Sequence, residues 1–170
     1  NDSVFDFSWN ADNRMGCAQP ISPTNGSRNV ALAYDYMGRR YREIISVYDG
    51  SAWSATQTNL WVYDGWLPVS EICYMQTGVV TNYWVYGLDL SGTLQGVGGV
   101  GGILSWTRSS DARTFLYFAD PNGNITELVD ASNPTNIAAH YEWDVYGNAV
   151  SMIGSEVDNN VVRFSGKSII

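Results

Sequence analysis

The unit Asp-x-x-Gly recurs four times in this chain, at Asp35-Tyr36-Met37-Gly38, Asp89-Leu90-Ser91-Gly92, Asp120-Pro121-Asn122-Gly123 and Asp144-Val145-Tyr146-Gly147. A looser copy, Asn10-Ala11-Asp12-Asn13, precedes them, and Tyr63-Asp64-Gly65-Trp66 fills the gap between the first two. The leading positions 10, 35, 64, 89, 120 and 144 are separated by 25, 29, 25, 31 and 24 residues. A period of that size marks a repeat architecture, in which one unit is too short to bury its own apolar face and has to stack on its neighbours. The residue types say what each unit contains. Aspartate at the first position of a turn accepts main-chain N–H bonds and fixes the bend, and glycine closes it where φ is positive. Such a type I turn followed by a left-handed residue joins two antiparallel strands.

The segments beside these turns alternate like strands. Phe5-Asp6-Phe7-Ser8-Trp9 places three aromatics on one face. Val30 to Tyr36 enters the first full turn and Arg39 to Tyr48 leaves it; Asn59 to Tyr63 and Val69 to Tyr74 flank the Asp64-Gly65 bend. Tyr83 to Tyr86, Thr114 to Phe118 and His140 to Trp143 are later incoming strands, and Asn124 to Val129 is an outgoing one. Seven Trp, eleven Tyr and seventeen Gly suit sheets and turns. Helical periodicity is weak throughout. Gly16 to Ser27 and the stretch around Val97 to Gly102 read as long irregular connections, and the closing Phe164 to Ile170 carries no turn or capping signal. The fold class expected is all-β: antiparallel β-hairpin repeats, four or five in number, in one segment covering residues 1–170 that is a fragment of a longer chain.

Composition excludes several functions. The net charge is −8, and of nine basic residues only Arg39, Arg40 and Arg42 cluster. A nucleic-acid partner, which needs a positive field along its phosphates, is not expected. No stretch approaches the roughly 20 apolar residues of a membrane-spanning helix. Cys17 and Cys73 allow one disulfide or none, and two thiols make neither a disulfide framework nor a metal quartet.

Motifs that mimic chemistry have structural explanations. Gly96-Val97-Gly98-Gly99-Val100-Gly101 has the G-x-G-x-x-G spacing, but a dinucleotide site also needs a buried strand before it and a helix after it, and neither pattern is present. His140, the only histidine, shares a strand face with Glu142 and Asp144; three ligands without a second histidine make a weak metal site. Asp89, Asp120 and Asp144 recur at equivalent turn positions, which suits structure better than a pair of glycosidase acids. The aromatics could stack sugars, yet alternation favours packing. No catalytic, cofactor-binding or metal residue is expected. The residues singled out are the structural turn positions Asp35, Gly38, Asp89, Gly92, Asp120, Gly123, Asp144 and Gly147.

Several of these segments resemble a known family. Tyr34-Asp35-Tyr36-Met37-Gly38-Arg39-Arg40 is similar to the Tyr-Asp repeat of the rearrangement-hotspot (Rhs/YD-repeat) proteins. The run from Trp84 to Gly102, then Asp120-Pro121-Asn122-Gly123-Asn124-Ile125, Tyr141 to Asn148 and Arg163-Phe164-Ser165-Gly166-Lys167 resemble the Rhs repeat-associated core, in its order. The resemblance covers nearly the whole chain. It implies a curved strip of a YD-repeat shell that often encloses a C-terminal toxin, in a bacterial protein that is secreted or on the cell surface. The family's self-cleaving segment and variable toxin domain have no counterpart in these residues. The resemblance thus implies a non-catalytic structural strip whose partners are other YD-repeat strips, of the same or an identical chain, and an enclosed toxin or other cargo. The alternative is a self-associating or adhesive surface module that grows into a sheet or fibre through its edge strands. The glycosylation-like triplets at Asn1, Asn25 and Asn124 carry no meaning in a bacterial product.

Overall fold

The structure, a computed structural model, describes residues 3–167. It is all-β: twelve strands lie in chain order in one antiparallel sheet. They are β1 (Phe5–Trp9), β2 (Met15–Pro20), β3 (Arg28–Tyr34), β4 (Arg40–Tyr48), β5 (Trp53–Asp64), β6 (Leu67–Met75), β7 (Gly78–Tyr86), β8 (Ile103–Arg108), β9 (Thr114–Ala119), β10 (Ile125–Asp130), β11 (Ile137–Trp143) and β12 (Ala149–Ile153). Each odd strand leads into one of the six spaced turn positions, and the next even strand leaves it. The repeat is therefore one hairpin plus its connection, and there are six hairpins where the sequence suggested four or five.

Two local expectations give way, at Gly16 to Ser27 and at the C-terminal segment, and two further strands carry no sequence signal. Gly16 to Ser27 is not a long irregular connection, because Met15–Pro20 forms β2, with Ala18 opposite Phe7 on one side and opposite Val30 on the other. Its small residues gave no apolar alternation to read; pairing on both sides makes the strand. β8 and β12 were also not legible, since Ile103–Arg108 follows the glycine run directly and Ala149–Ile153 is short. The C-terminal segment does turn: Gly166 N–H donates to the Arg163 carbonyl at 3.2 Å within a short 3-10 turn, Phe164–Gly166. Residues 168–170 of that segment lie outside the described residues.

The chain forms two compact units. The first comprises Asn1–Val62 and Glu71–Thr81. Its only buried residues, among those described, are the polar Asn59 and Glu71. Apolar cross-strand pairs such as Val30↔Ile45 and Ala31↔Ile44 are half-buried. A polar ladder runs across neighbouring strands, with Gln57 Nε2 donating to Asn59 Oδ1 and Asn59 Nδ2 donating to Glu43 Oε2, both at 2.9 Å. Cys17 and Cys73 are free thiols. Burial, reinforced by Glu71, pushes the Cys73 thiol up to about 12, so it stays protonated and unreactive.

The second unit comprises Tyr63–Ser70 and Asn82–Ile170 and has a buried apolar cluster. Trp84, Ile103, Trp106, Phe115, Tyr117, Ile125, Leu128, Ala138, Ala139 and Tyr141 supply it from five successive strands, and Val162 joins them from beyond β12. After β12 the chain doubles back across the sheet. Glu156 N–H donates to the Ala138 carbonyl at 2.9 Å, and Ile125 N–H donates to the Arg163 carbonyl at 3.2 Å. Val157 and Val161 pack beside Val162. This strap covers with the chain's own residues an apolar face that the repeat pattern assigned to a neighbouring strip. Each large side chain buried this way contributes about 1.5–3 kcal/mol.

Candidate functional site: the spaced turns and the groove beside them

Four turns share one hydrogen-bonding scheme. At Asp35, Asp120 and Asp144 the carboxylate Oδ1 accepts the N–H groups two and four residues on: Met37 and Arg39, Asn122 and Asn124, Tyr146 and Asn148, all at 2.8–3.0 Å. Oδ2 is taken by the side chain four residues on, Arg39 at 2.7 Å and Asn124 and Asn148 at 2.8 Å. The glycine N–H of each turn returns to the aspartate carbonyl. Asn10 repeats the main-chain part of this plan, its Oδ1 accepting the Asp12 and Arg14 N–H groups, and Asn13, with φ +56°, stands where the others have glycine; the Arg14 side chain goes elsewhere. The informative unit is thus five residues long, its last side chain serving the second carboxylate oxygen.

Asp89 departs from this scheme. Its Oδ1 accepts the Ser91 hydroxyl at 2.6 Å and the Ser91 N–H at 2.9 Å. Oδ2 reaches forward to the N–H groups of Val97 at 2.8 Å and Gly99 at 3.3 Å. These bonds, led by that from Ser91, hold the carboxyl down at about 2. At Asp144 the bond from the Asn148 side chain holds the carboxyl below the usual carboxylate range. At Asp35 and Asp120 burial opposes the charge, but bonds from Arg39 and from Asn124 outweigh it, so both also lie below the usual carboxylate range. The glycine run of residues 96–102 is a series of tight turns held by Asp89.

The turn glycines are points of close approach. A Cβ on Gly38, whose φ is +83°, would collide with the Arg14 guanidinium, and one on Gly123, with φ +78°, would sit 2.9 Å from the Gly101 nitrogen. Gly147 lies under the Phe164 ring. Gly92 differs: its φ is +74°, yet nothing lies within 4 Å of the added carbon.

In the second unit the Asp120 and Asp144 turns flank an open groove of about 700 Å³, which Asn124, Thr126, His140, Glu142, Trp143 and Phe164 help to line. His140 stands opposite Glu127 across β10 and β11, with its ring nitrogens 3.5 Å from Glu127 and from Glu142. The Asp144 carboxylate, which the sequence groups with His140 and Glu142, is committed to its own turn. Among the described residues no three His, Cys, Asp or Glu side chains are placed to hold a metal ion. Asn124 is buried with its side chain bonded at both ends, to Asp120 and to the Ser165 N–H. Asn25 is exposed, and Asn1 lies outside the described residues.

With this geometry in view, comparison with known proteins gives a fold relationship. No family model matches the chain, and no curated protein does. In fold the chain is similar to TcdB2-TccC3. The crystal structure of TcdB2-TccC3, and that of TcdB2-TccC3 without its hypervariable C-terminal region, each superpose with a TM-score of 0.67 at 17% identity. Each match covers 98% of this chain and 8% of the other. The likeness to TcdB2-TccC3 is one of fold, and this chain spans about 8% of the length of those chains.

Sequence reasoning missed the side chains that tie these elements together. Arg14 donates to the Gly38 carbonyl. Gln95 closes on the Asp64-Gly65 bend, accepting the Trp66 N–H at 2.8 Å and donating to the Asp64 carbonyl at 3.1 Å. Buried Glu156 on the strap receives Arg108 at 2.9 Å and Arg113 at 2.8 Å, and these arginines also bind Asp111 and Asp130. Asn160, fully buried, accepts from the Tyr117 hydroxyl at 2.7 Å and donates to the Tyr141 hydroxyl at 3.1 Å and to the Val162 carbonyl at 2.7 Å. In the sequence these are isolated polar residues at unremarkable spacings, and only the fold brings them together.

Proposed function

We propose that this chain is a non-catalytic β-strip in the wall of a secreted or surface-exposed bacterial YD-repeat protein, where it helps a hollow shell or scaffold enclose or present a toxin or other cargo. The observation that carries this reading is the use of the turn carboxylates. Asp35, Asp120 and Asp144 spend both oxygens on fixing bends between successive hairpins. Groups spent in this way build a wall and leave little for acid–base chemistry. The fold likeness to TcdB2-TccC3 and the ordered family motifs support the same reading. The sheet of the first unit, in which Asn59 and Glu71 are the only buried residues among those described, suits a strip that other strips of the same or an identical chain complete.

Electron microscopy of the full-length gene product tests it. A closed hollow particle with this segment in its wall is expected, and a solid globule or an open filament would overturn the reading. A second reading, a self-associating or adhesive module, is favoured by β1 and β12 as edge strands with Phe5, Val150, Met152 and Ile153 exposed on them. It requires a polymer that grows with concentration, visible by size-exclusion chromatography.

A further inference from the structure

The sheet of the second unit is apolar on both faces. An antiparallel sheet with one wet face alternates apolar and polar residues, whereas a strand covered on both sides reads as an unbroken apolar run. Tyr83-Trp84-Val85-Tyr86 in β7 and Phe115-Leu116-Tyr117-Phe118 in β9 are such runs. Trp84, Phe115 and Tyr117 belong to the buried cluster that the strap covers, and their neighbours alternate to the other side. Strand register sets that other side in rows. Val85, Ser105, Leu116, Val129 and Ile137 lie opposite one another across β7 to β11, with Leu116 in the middle. The next row holds Phe118, Glu127, His140 and Ile153. Tyr83, Val85, Leu116, Phe118, Ile137 and Ile153 are 39–66% exposed, so no described residue covers this face. Its polar groups suit a covering layer. The Thr107 and Thr114 hydroxyls bond each other at 2.9 Å, and the charged Glu127, His140 and Glu142 stand together at one corner.

We propose that this face docks against the same face of a second copy of the chain, two sheets packed about a two-fold axis that runs along β9 beside Leu116. Leu116 then meets the partner's Leu116, and Val85 faces the partner's Ile137. Sheets packed face to face align within about 30° at a separation of about 10 Å, with their side chains interleaved. Area favours a second copy over other occupants. Five strands about 4.8 Å apart and about 20 Å long give a flat area of about 480 Å², so a pair buries about 1,000 Å² before side-chain relief is counted, which is where specific interfaces begin. One extended peptide, or one helix about 10 Å wide, would leave most of a face about 24 Å across in water. The two rows hold no lysine or arginine, and a net charge of −8 is repelled by an anionic lipid surface. The axis along β9 carries the acidic corner on β10 and β11 over β8 and β7 of the second copy, so like charges do not meet. A wall strip needs no such partner. This inference therefore goes beyond the proposed function, and a particle that is not hollow would leave it standing.

Sedimentation equilibrium on the whole chain tests it. A monomer–dimer equilibrium that stops at two is expected, with a dissociation constant on the order of 10 µM, as for a small interface. Leu116→Asp alone and Leu116→Lys alone should each weaken the dimer at least about tenfold, because like charges would meet at the axis. A one-to-one mixture of these two variants should regain the dimer, which a variant that had merely unfolded could not do. Charging both edge strands, with Trp9→Lys/Val150→Lys, should leave the dimer intact. A chain that stays monomeric at about 1 mM would give the face to another segment or another protein and overturn the proposal. Growth beyond two, loss of the dimer in the edge variant, or no recovery in the mixture would each overturn it as well.

Discussion

Asp89 holds Val97: its Oδ2 accepts the Val97 N–H at 2.8 Å, eight residues on, and the Gly99 N–H at 3.3 Å beyond it. A turn residue thereby organises the whole glycine connection between β7 and β8. Replacing Asp89 by Ala should loosen residues 96–102 and lower the melting temperature, with amide hydrogen exchange at Val97 and Gly99 rising first. Unchanged exchange at those two amides would show that the connection holds itself.

The turn glycines should divide by what surrounds them. Gly123→Val combines a φ of +78° with a collision at the Gly101 nitrogen and should cost about 1–3 kcal/mol or more. Gly92→Ala, at φ +74° in open space, should cost only the left-handed strain of about 1–2 kcal/mol. Urea midpoints of the two variants measure the difference. Equal costs would mean that close approach at Gly123 is unimportant.

Asn160 should be among the least replaceable residues of the second unit. Asn160→Leu removes the acceptor of the Tyr117 hydroxyl and the donor to the Tyr141 hydroxyl and the Val162 carbonyl, all of them buried bonds. Stranding such groups costs on the order of 1–3 kcal/mol each. A loss below about 1 kcal/mol in denaturant unfolding would show that water or repacking replaces the amide.

The strap is also tethered by charge. Glu156→Ala removes the buried carboxylate that Arg108 and Arg113 share, while each keeps its second partner, Asp111 or Asp130, and should destabilise the second unit by about 1–3 kcal/mol. Protease cleavage after residue 154 should accelerate in this variant. A cut rate equal to that of the parent chain would show that the apolar contacts of Val157, Val161 and Val162 suffice.

Acid should weaken the protein over a defined window. Asp35, Asp89, Asp120, Asp130 and Asp144 all have lowered folded-state pKa values, reaching about 2 at Asp89 and Asp130. In the unfolded chain these groups return to about 3.9. Below that value the unfolded state binds more protons, so their stabilisation is complete above about pH 4 and is lost as pH falls toward about 2. A urea midpoint that stays flat from about pH 5 to about pH 2 would contradict this.

Much of the hairpin pattern was legible because turn chemistry is local. An aspartate oxygen reaches N–H groups two and four residues away, so Asp120 and Asn124 can be read in one line of sequence, and the aromatic alternation beside Asp35 and Asp144 marks strands by its period. β2 was not legible, because Met15 to Pro20 becomes a strand through its neighbours on both sides. The partners of Glu156 lie 43 and 48 residues away, and Asn160 lies 43 residues from Tyr117. Nothing at short range announces such pairs.

The amino-acid order by itself determined an all-β chain of hairpins bent at aspartate and glycine, because those bonds close within a few residues. The tertiary structure alone decided that one unit would keep a half-open sheet and that the other would be sealed on one face by its own strap. Those outcomes depend on which distant side chains meet, and burial rewards such meetings only once the sheet has brought them together.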